Sequence, residues 1–215
     1  MQPTIFTIAG HNIRSQGAMG YDGISEHTRT TDLQRRVTLG LSSVQNLQGT
    51  AMTIVTDAEQ KSNAAVRALI EKSRTPQSRG IDIHFNNNNP AATGCEIIVS
   101  PHTSEANKRR AIWMINTLSK ALGLPIRRRD AIRDYIYPNE TFVGSLPIIE
   151  RTSIPMILLE VCFLNHTDLP KYIGNEDKVA AIIRRGLLTS FAQAGSEKME
   201  FVYRGTFYKS SEKIV

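Results

Sequence analysis

Three apolar runs that each end in a polar residue constrain this chain more than any other feature. Ile5-Phe6-Thr7-Ile8-Ala9-Gly10 leads into His11, Gly80-Ile81-Asp82-Ile83 into His84, and Ile154-Pro155-Met156-Ile157-Leu158-Leu159 into Glu160. Runs this short and this apolar read as strands buried on both faces. In an open α/β sheet, ligands bind in the crevice outside the carboxyl ends of the strands. His11, His84 and Glu160 are therefore expected to meet in space although they lie far apart in the chain.

The segments between these runs supply helices, so strands and helices alternate, as in an α/β fold with a largely parallel sheet. A strand at 4–9 is followed by a polar loop from His11 to about Ser25. Glu26 to Leu47 has helical spacing, with Leu33, Val37, Leu41, Val44 and Leu47 on one face. A strand at 51–56, a helix at 61–74 ended by Thr75-Pro76 and a strand at 81–85 come next. Asn86-Asn87-Asn88-Asn89-Pro90 reads as loop. The strand from Gly94 to Val99 follows so closely that it is expected to run antiparallel to its predecessor. Ser104 is the expected cap of a helix reaching Leu122, which Gly123 and Pro125 end. The stretch 126–153 reads as loop followed by a short edge strand at Leu146-Pro147-Ile148-Ile149. A final helix spans 175–194, and Phe201 to Tyr208 reads as a hairpin or an added strand. The expectation is one α/β domain over 1–195, with a twisted, mostly parallel central sheet of about six strands flanked by helices. Residues 196–215 are read as a strand or hairpin extension of that domain.

Composition narrows the function classes. Of the 215 residues, 40% are hydrophobic and 21% charged, which suits a globular chain rather than a disordered one. No run approaches the roughly 20 apolar residues that cross a bilayer. Met1-Gln2-Pro3-Thr4 lacks a basic region followed by an apolar one, so synthesis in the cytoplasm without a signal peptide is expected. Cys95 and Cys162 both lie in apolar runs and read as buried thiols. A net charge of +6 favours polyanionic partners in general. The basic runs Lys108-Arg109-Arg110 and Arg127-Arg128-Arg129 read as solvated faces or a surface for anionic wall polymers. Without interleaved aromatics they do not favour a nucleic-acid partner.

A catalytic zinc ion takes three protein ligands from His and Asp/Glu and keeps a fourth position for water. A carboxylate beside it that does not bind the metal can carry the proton. His11, Glu26 and His84 supply the first set and Glu160 the second. Glu26, at the first turn of its helix, also gains from the helix dipole. Other pairings stay open at this level. Cys162 lies two positions beyond Glu160 and could form a Cys-His hydrolase with His84. His27 could replace a ligand, Asp22 is a weaker candidate, and His102 and His166 read as loop residues.

The order and spacing of these motifs also resemble a known family, the zinc-dependent N-acetylmuramoyl-L-alanine amidases of the Amidase_3 type. Ile8-Ala9-Gly10-His11 with Gly17-Ala18-Met19-Gly20 is similar to that family's first strand and Gly-His-Gly-Gly loop. Ser25-Glu26-His27 resembles its metal-binding glutamate, and Asp82-Ile83-His84-Phe85-Asn86 its Ser-Ile-His-Ala-Asn motif. Gly94-Cys95-Glu96 resembles the Gly-x-Glu strand, and the segment from Ile154 to Asn165 the one carrying the catalytic glutamate. The likeness spans about residues 4–194. It implies one Zn2+ held by His11, Glu26 and His84, with Glu160 as general base. It also implies cleavage of peptidoglycan between N-acetylmuramic acid and the L-alanine of the stem peptide. Asn12 stands where the family usually has glycine, and Cys162 replaces the glycine after the catalytic glutamate. A phage or prophage endolysin, released by a separate membrane-breaching partner, is the expected setting. The alternatives are a zinc peptidase on soluble peptides and a non-catalytic basic binding module for wall polymer or nucleic acid.

Overall fold

Thr4–Ala9 forms strand β1, and all six of its side chains are buried. The computed structural model of the chain describes residues 2–48, 51–57, 62–87, 91–100, 102–127 and 146–189. Within it, β1 is followed by α1 (Glu26–Gln48), β2 (Thr53–Thr56), α2 (Asn63–Ser73), β3 (Arg79–Asn86), β4 (Glu96–Ile98) and α3 (Glu105–Leu122). Then come α4 (Pro147–Glu150), β5 (Met156–Phe163), α5 (Leu169–Tyr172) and α6 (Glu176–Leu188). The sheet order is β2-β1-β3-β5-β4. Pairings β2–β1, β1–β3 and β3–β5 are parallel, and β4 closes one edge antiparallel to β5. This is the mostly parallel α/β sheet expected from the alternation of elements.

Each face of the sheet is covered by its own apolar cluster. Ile81, Ile83 and Phe85 of β3 pack with Leu33 of α1, Met114 of α3 and Ile183 of α6. The opposite face, carrying Ile8, Met156 and Leu158, is covered by Val66 and Ile70 of α2 and Ile148 and Ile149 of α4. Alternation along β3 places Asp82 and His84 on this second, thinner face, because successive side chains point to opposite sides. Register then sets His84 beside Glu160, and Glu160 beside Glu96.

Caps follow the sequence. Ser104 Oγ accepts from Asn107 N–H at the start of α3, and Gly123 ends that helix with φ 61°. Three expectations are corrected. Leu146 to Ile149 is not an edge strand: Pro147 opens the short helix α4, where proline suits the first turn, so the described sheet has five strands. The strand after the asparagine loop runs antiparallel but pairs with β5, which lies between it and β3. Cys162 does not share a face with Glu160, because a register shift separates His84↔Glu160 from Asn86↔Phe163. Cys162 is buried with Val161 in the cluster on the α1 side. The end of the last expected helix and the 196–215 extension, with its hairpin, lie outside the described residues.

Candidate metal centre

His11 stands one residue beyond the end of β1, with φ 67°, the only positive φ of a non-glycine residue among those described. Such left-handed backbone is unfavourable for a side chain with a Cβ and is held by its surroundings. Asn12 then closes a tight turn, accepting from Arg14 and Ser15 N–H at 3.0 and 3.1 Å. The loop returns to the start of α1, where Ser25 Oγ accepts from Thr28 N–H and Thr30 Oγ1 donates to Gly10 C=O at 2.8 Å. These bonds fix the first turn of α1 against the end of β1 and bring Glu26 between two imidazoles.

Glu26 Oε2 lies 2.9 Å from His11 Nε2, and Oε1 lies 3.1 Å from His84 Nδ1. Backbone N–H groups of Ala18 and Phe85 donate to the same carboxylate at 3.2 and 3.0 Å. One potential ligand atom from each of His11, Glu26 and His84 lies within 4.8 Å of the other two. Burial would push the Glu26 carboxyl up, but hydrogen bonds from His11 and His84 outweigh it and hold it at about 2. Burial alone would lower His84; the Asp82 and Glu26 carboxylates reverse that and raise it well above the usual imidazole value.

Glu160 has no such partners. Its Oε2 is shielded from solvent and accepts no hydrogen bond among the described residues. Burial pushes its carboxyl up to about 8, and the Glu26, Glu96 and Asp82 charges add to this against the opposing His84. Glu96, fully buried across the register, is held by Asn86 Nδ2 and Arg127 Nη1, each at 3.2 Å. Two further acids belong to this end of the sheet and escaped the sequence reading. Asp57, just past β2, accepts from Ala9 N–H at 3.1 Å and from Gln34 Nε2. Burial pushes it up to about 6. Asp82, two residues before His84, is buried beneath that ring. Both could have been found: Asp57 ends an apolar run as His11 does, and Asp82 has the i−2 spacing that shares a strand face.

These groups open into one cavity of about 900 Å3, lined by His11, Glu26, His84, Glu160, Asp57 and Asp82 among others. No lysine or arginine is among its described lining residues. Four carboxylates against two imidazoles favour a bound dication, and two nitrogens with carboxylate oxygen suit zinc. The backbone leaves room for that arrangement only at glycine. A Cβ on Gly10 would lie 2.5 Å from His84 Cε1, and one on Gly17, at φ +71°, 2.6 Å from both Glu26 Oε2 and His11 Cδ2. Gly10→Ala should therefore displace the His84 ring. The expected result is at least a tenfold loss of zinc affinity in a chelator competition, with roughly 1–3 kcal/mol of stability lost to overpacking.

The other candidates are elsewhere. Asp22 is paired with Arg29, and His166 stacks on Tyr21 with ring centroids 4.1 Å apart. His27 is buried outside the cluster, its Nδ1 without a hydrogen bond. Burial pushes the Cys162 thiol far up, which disfavours a thiolate nucleophile. The basic runs are divided: Lys108 pairs with Glu105, whereas Arg110 is buried against Asn107 Oδ1 and Gly186 C=O. Arg128 and Arg129 lie outside the described residues.

Comparison with known proteins finds the same fold in solved structures. The catalytic domain of CwlV, an N-acetylmuramoyl-L-alanine amidase from Bacillus (Paenibacillus) polymyxa var. colistinus, superposes with TM-score 0.66 at 22% identity, covering 86% of this chain and 96% of that one. An N-acetylmuramoyl-L-alanine amidase from Clostridium difficile 630 gives TM-score 0.69 at 20% identity, covering 87% and 95%. The catalytic domain of the CD27L endolysin targeting Clostridia Difficile gives 0.61 at 16%, covering 87% and 97%. At these identities the likeness establishes the fold. No curated protein sequence matches the chain. The family model described as Amidase_3, N-acetylmuramoyl-L-alanine amidase, matches residues 5–188, and the chain belongs to that family.

Proposed function

We propose that the chain cleaves the amide between N-acetylmuramic acid and L-alanine in peptidoglycan, with one zinc ion held by His11, Glu26 and His84 and with Glu160 as proton acceptor. The observation that carries this reading is the convergence of three potential ligand atoms within 4.8 Å, on a cavity that Glu160 also lines. Zinc bound there supplies a Lewis acid and lowers the pKa of water to about 7.

The chain's own residues do the rest. Glu26 stays ionised at any working pH, so its charge is always available as a ligand. His11 and His84 are fixed by the strained backbone at one and by the packing of Gly10 at the other. Glu160 takes a proton from the attacking water and returns it to the departing amide nitrogen. Its raised pKa places it where acceptance and return are both accessible near neutrality.

Family membership favours the muramoyl amide over soluble peptides as substrate. Digestion of purified peptidoglycan separates the two readings. New free amino termini without new reducing ends, with intact stem peptides released, are the expected products. Cleavage confined to bonds within the peptides would reject the amidase assignment. A binding module for wall polymer or nucleic acid would give no turnover at all.

The setting proposed is a phage or prophage endolysin, made in the cytoplasm and reaching the wall after a separate partner breaches the membrane. An endolysin catalytic domain shares this fold, as do other amidases. No helix among the described residues is long and apolar enough to cross a membrane. Lysis that requires co-expression of a membrane-permeabilising protein would support this setting; lysis by the chain alone would argue against it.

A further inference from the structure

Asp82 is a buried acid that neither the fold nor the proposed chemistry explains so far. It sits in the middle of β3, 5% exposed, paired in register with Ile8 on one side and Leu158 on the other. Both neighbours are apolar. Asp82 Oδ1 accepts no well-formed hydrogen bond among the described residues, and leaving a buried carboxylate oxygen in that condition is costly. The polar atom facing it is His84 Nε2, at 3.4 Å. The other ring nitrogen, Nδ1, faces Glu26 Oε1 at 3.1 Å. The ring is thus set between two carboxylates, with Gly10 packed so closely that even a methyl group there would strike Cε1, Nδ1 and Nε2.

A neutral imidazole carries one proton, and the nitrogen that binds a metal must be the bare one. Nδ1 is the nitrogen that faces the candidate ligand Glu26. A metal bound at Nδ1 obliges the proton to sit on Nε2, which faces Asp82. We propose that Asp82 is a positioning residue for the metal centre: it accepts the Nε2 proton of His84, so fixing the tautomer and the tilt of the ring. The orphaned Oδ1 then has a use, because its partner is complete only when Nδ1 is committed to metal. This carboxylate–histidine–metal arrangement raises ligand basicity, and loss of such a partner typically lowers metal affinity 10–100-fold. The inference rests on the zinc reading above.

Three measurements on the full chain test it. In a chelator competition, Asp82→Ala should lower zinc affinity about 10–100-fold, with Asp82→Asn, which keeps an acceptor oxygen, in between. In zinc-loaded protein labelled with 15N-histidine, two-bond proton–nitrogen correlations should show His84 protonated at Nε2 and bare at Nδ1. The Nε2 proton should move upfield and exchange faster in Asp82→Asn. Finally, Asp82→Asn should lower the melting temperature of zinc-loaded protein by more than that of zinc-free protein, whereas a purely structural Asp82 would lower both equally. Affinities within about twofold of wild type, or a His84 bare at Nε2, would overturn the proposal and leave the zinc amidase reading standing. A wild-type chain that binds no zinc would remove both.

Discussion

Glu160→Gln is expected to lose turnover on peptidoglycan by about 10²–10⁴-fold, the range assigned to a positioned general acid–base group. Zinc should remain bound at wild-type stoichiometry, because the candidate ligand atoms belong to His11, Glu26 and His84 and not to Glu160. The same substitution should stabilise the metal-free protein. Glutamine has nearly the same shape but no charge, and the site holds Glu160 with one oxygen shielded and unpartnered beside Glu26, Glu96 and Asp82. Folded Glu160 keeps its proton up to about pH 8, whereas an unfolded glutamate releases it near the ordinary value of 4.5. Between those values the unfolded chain binds fewer protons than the native one, so native stability falls as pH rises. Glu160→Gln removes that decline. Its melting temperature without metal should match wild type near pH 4.5 and exceed it by several degrees at pH 8, since about 1 kcal/mol shifts a chain of this size by roughly 2–4 °C. Retained turnover would show that another group carries the proton. An unchanged melting profile would show that Glu160 is solvated after all.

Much of this site was legible because it is built at strand ends. The limits of β1 were readable to the residue, and so were Ser104 as a cap and Gly123 as a stop, since each depends on local geometry. His11, His84 and Glu160 could be grouped because one rule, that ligands gather outside the carboxyl ends of strands, acts on all three, and Glu26 joins them from the start of the helix that follows His11. What escaped depended on contacts between distant segments. Four apolar or proline residues at 146–149 fit a strand or a helical turn equally, and the packing of Ile148 and Ile149 over β5 decided it. The insertion of β5 between β3 and β4 leaves no trace in either neighbour's sequence. Period-two alternation put Cys162 on the Glu160 face, and a bulge of one residue moved it to the other. Asp82 was passed over for a related reason. A lone acid inside an apolar run looks like an interruption until the residue two places on is seen beside two other candidate ligands.

Removing the metal should be as damaging as removing the base, with a different pH signature. His11→Ala and His84→Ala are each expected to bring bound zinc from near one equivalent to near zero, and activity with it, as measured by metal analysis of the purified variants. Both Glu26 oxygens lie within hydrogen-bond distance of an imidazole nitrogen, His11 Nε2 for one and His84 Nδ1 for the other. Despite burial, the Asp82 and Glu26 carboxylates raise His84 well above the ordinary imidazole value of 6.5, so it is protonated at neutral pH. Zinc must displace that proton, so binding should release protons and affinity should climb as pH rises through the folded His84 value. Stability without metal should run the opposite way. The contribution of protonated His84 is fully present below pH 6.5 and disappears as pH rises past its folded value, in the same direction as the Glu160 effect. The gap in melting temperature between zinc-loaded and zinc-free protein should consequently widen from pH 6 to pH 9. A gap that stays constant would mean that zinc does not compete with the His84 proton, and a gap that narrows would mean that His84 is not a ligand.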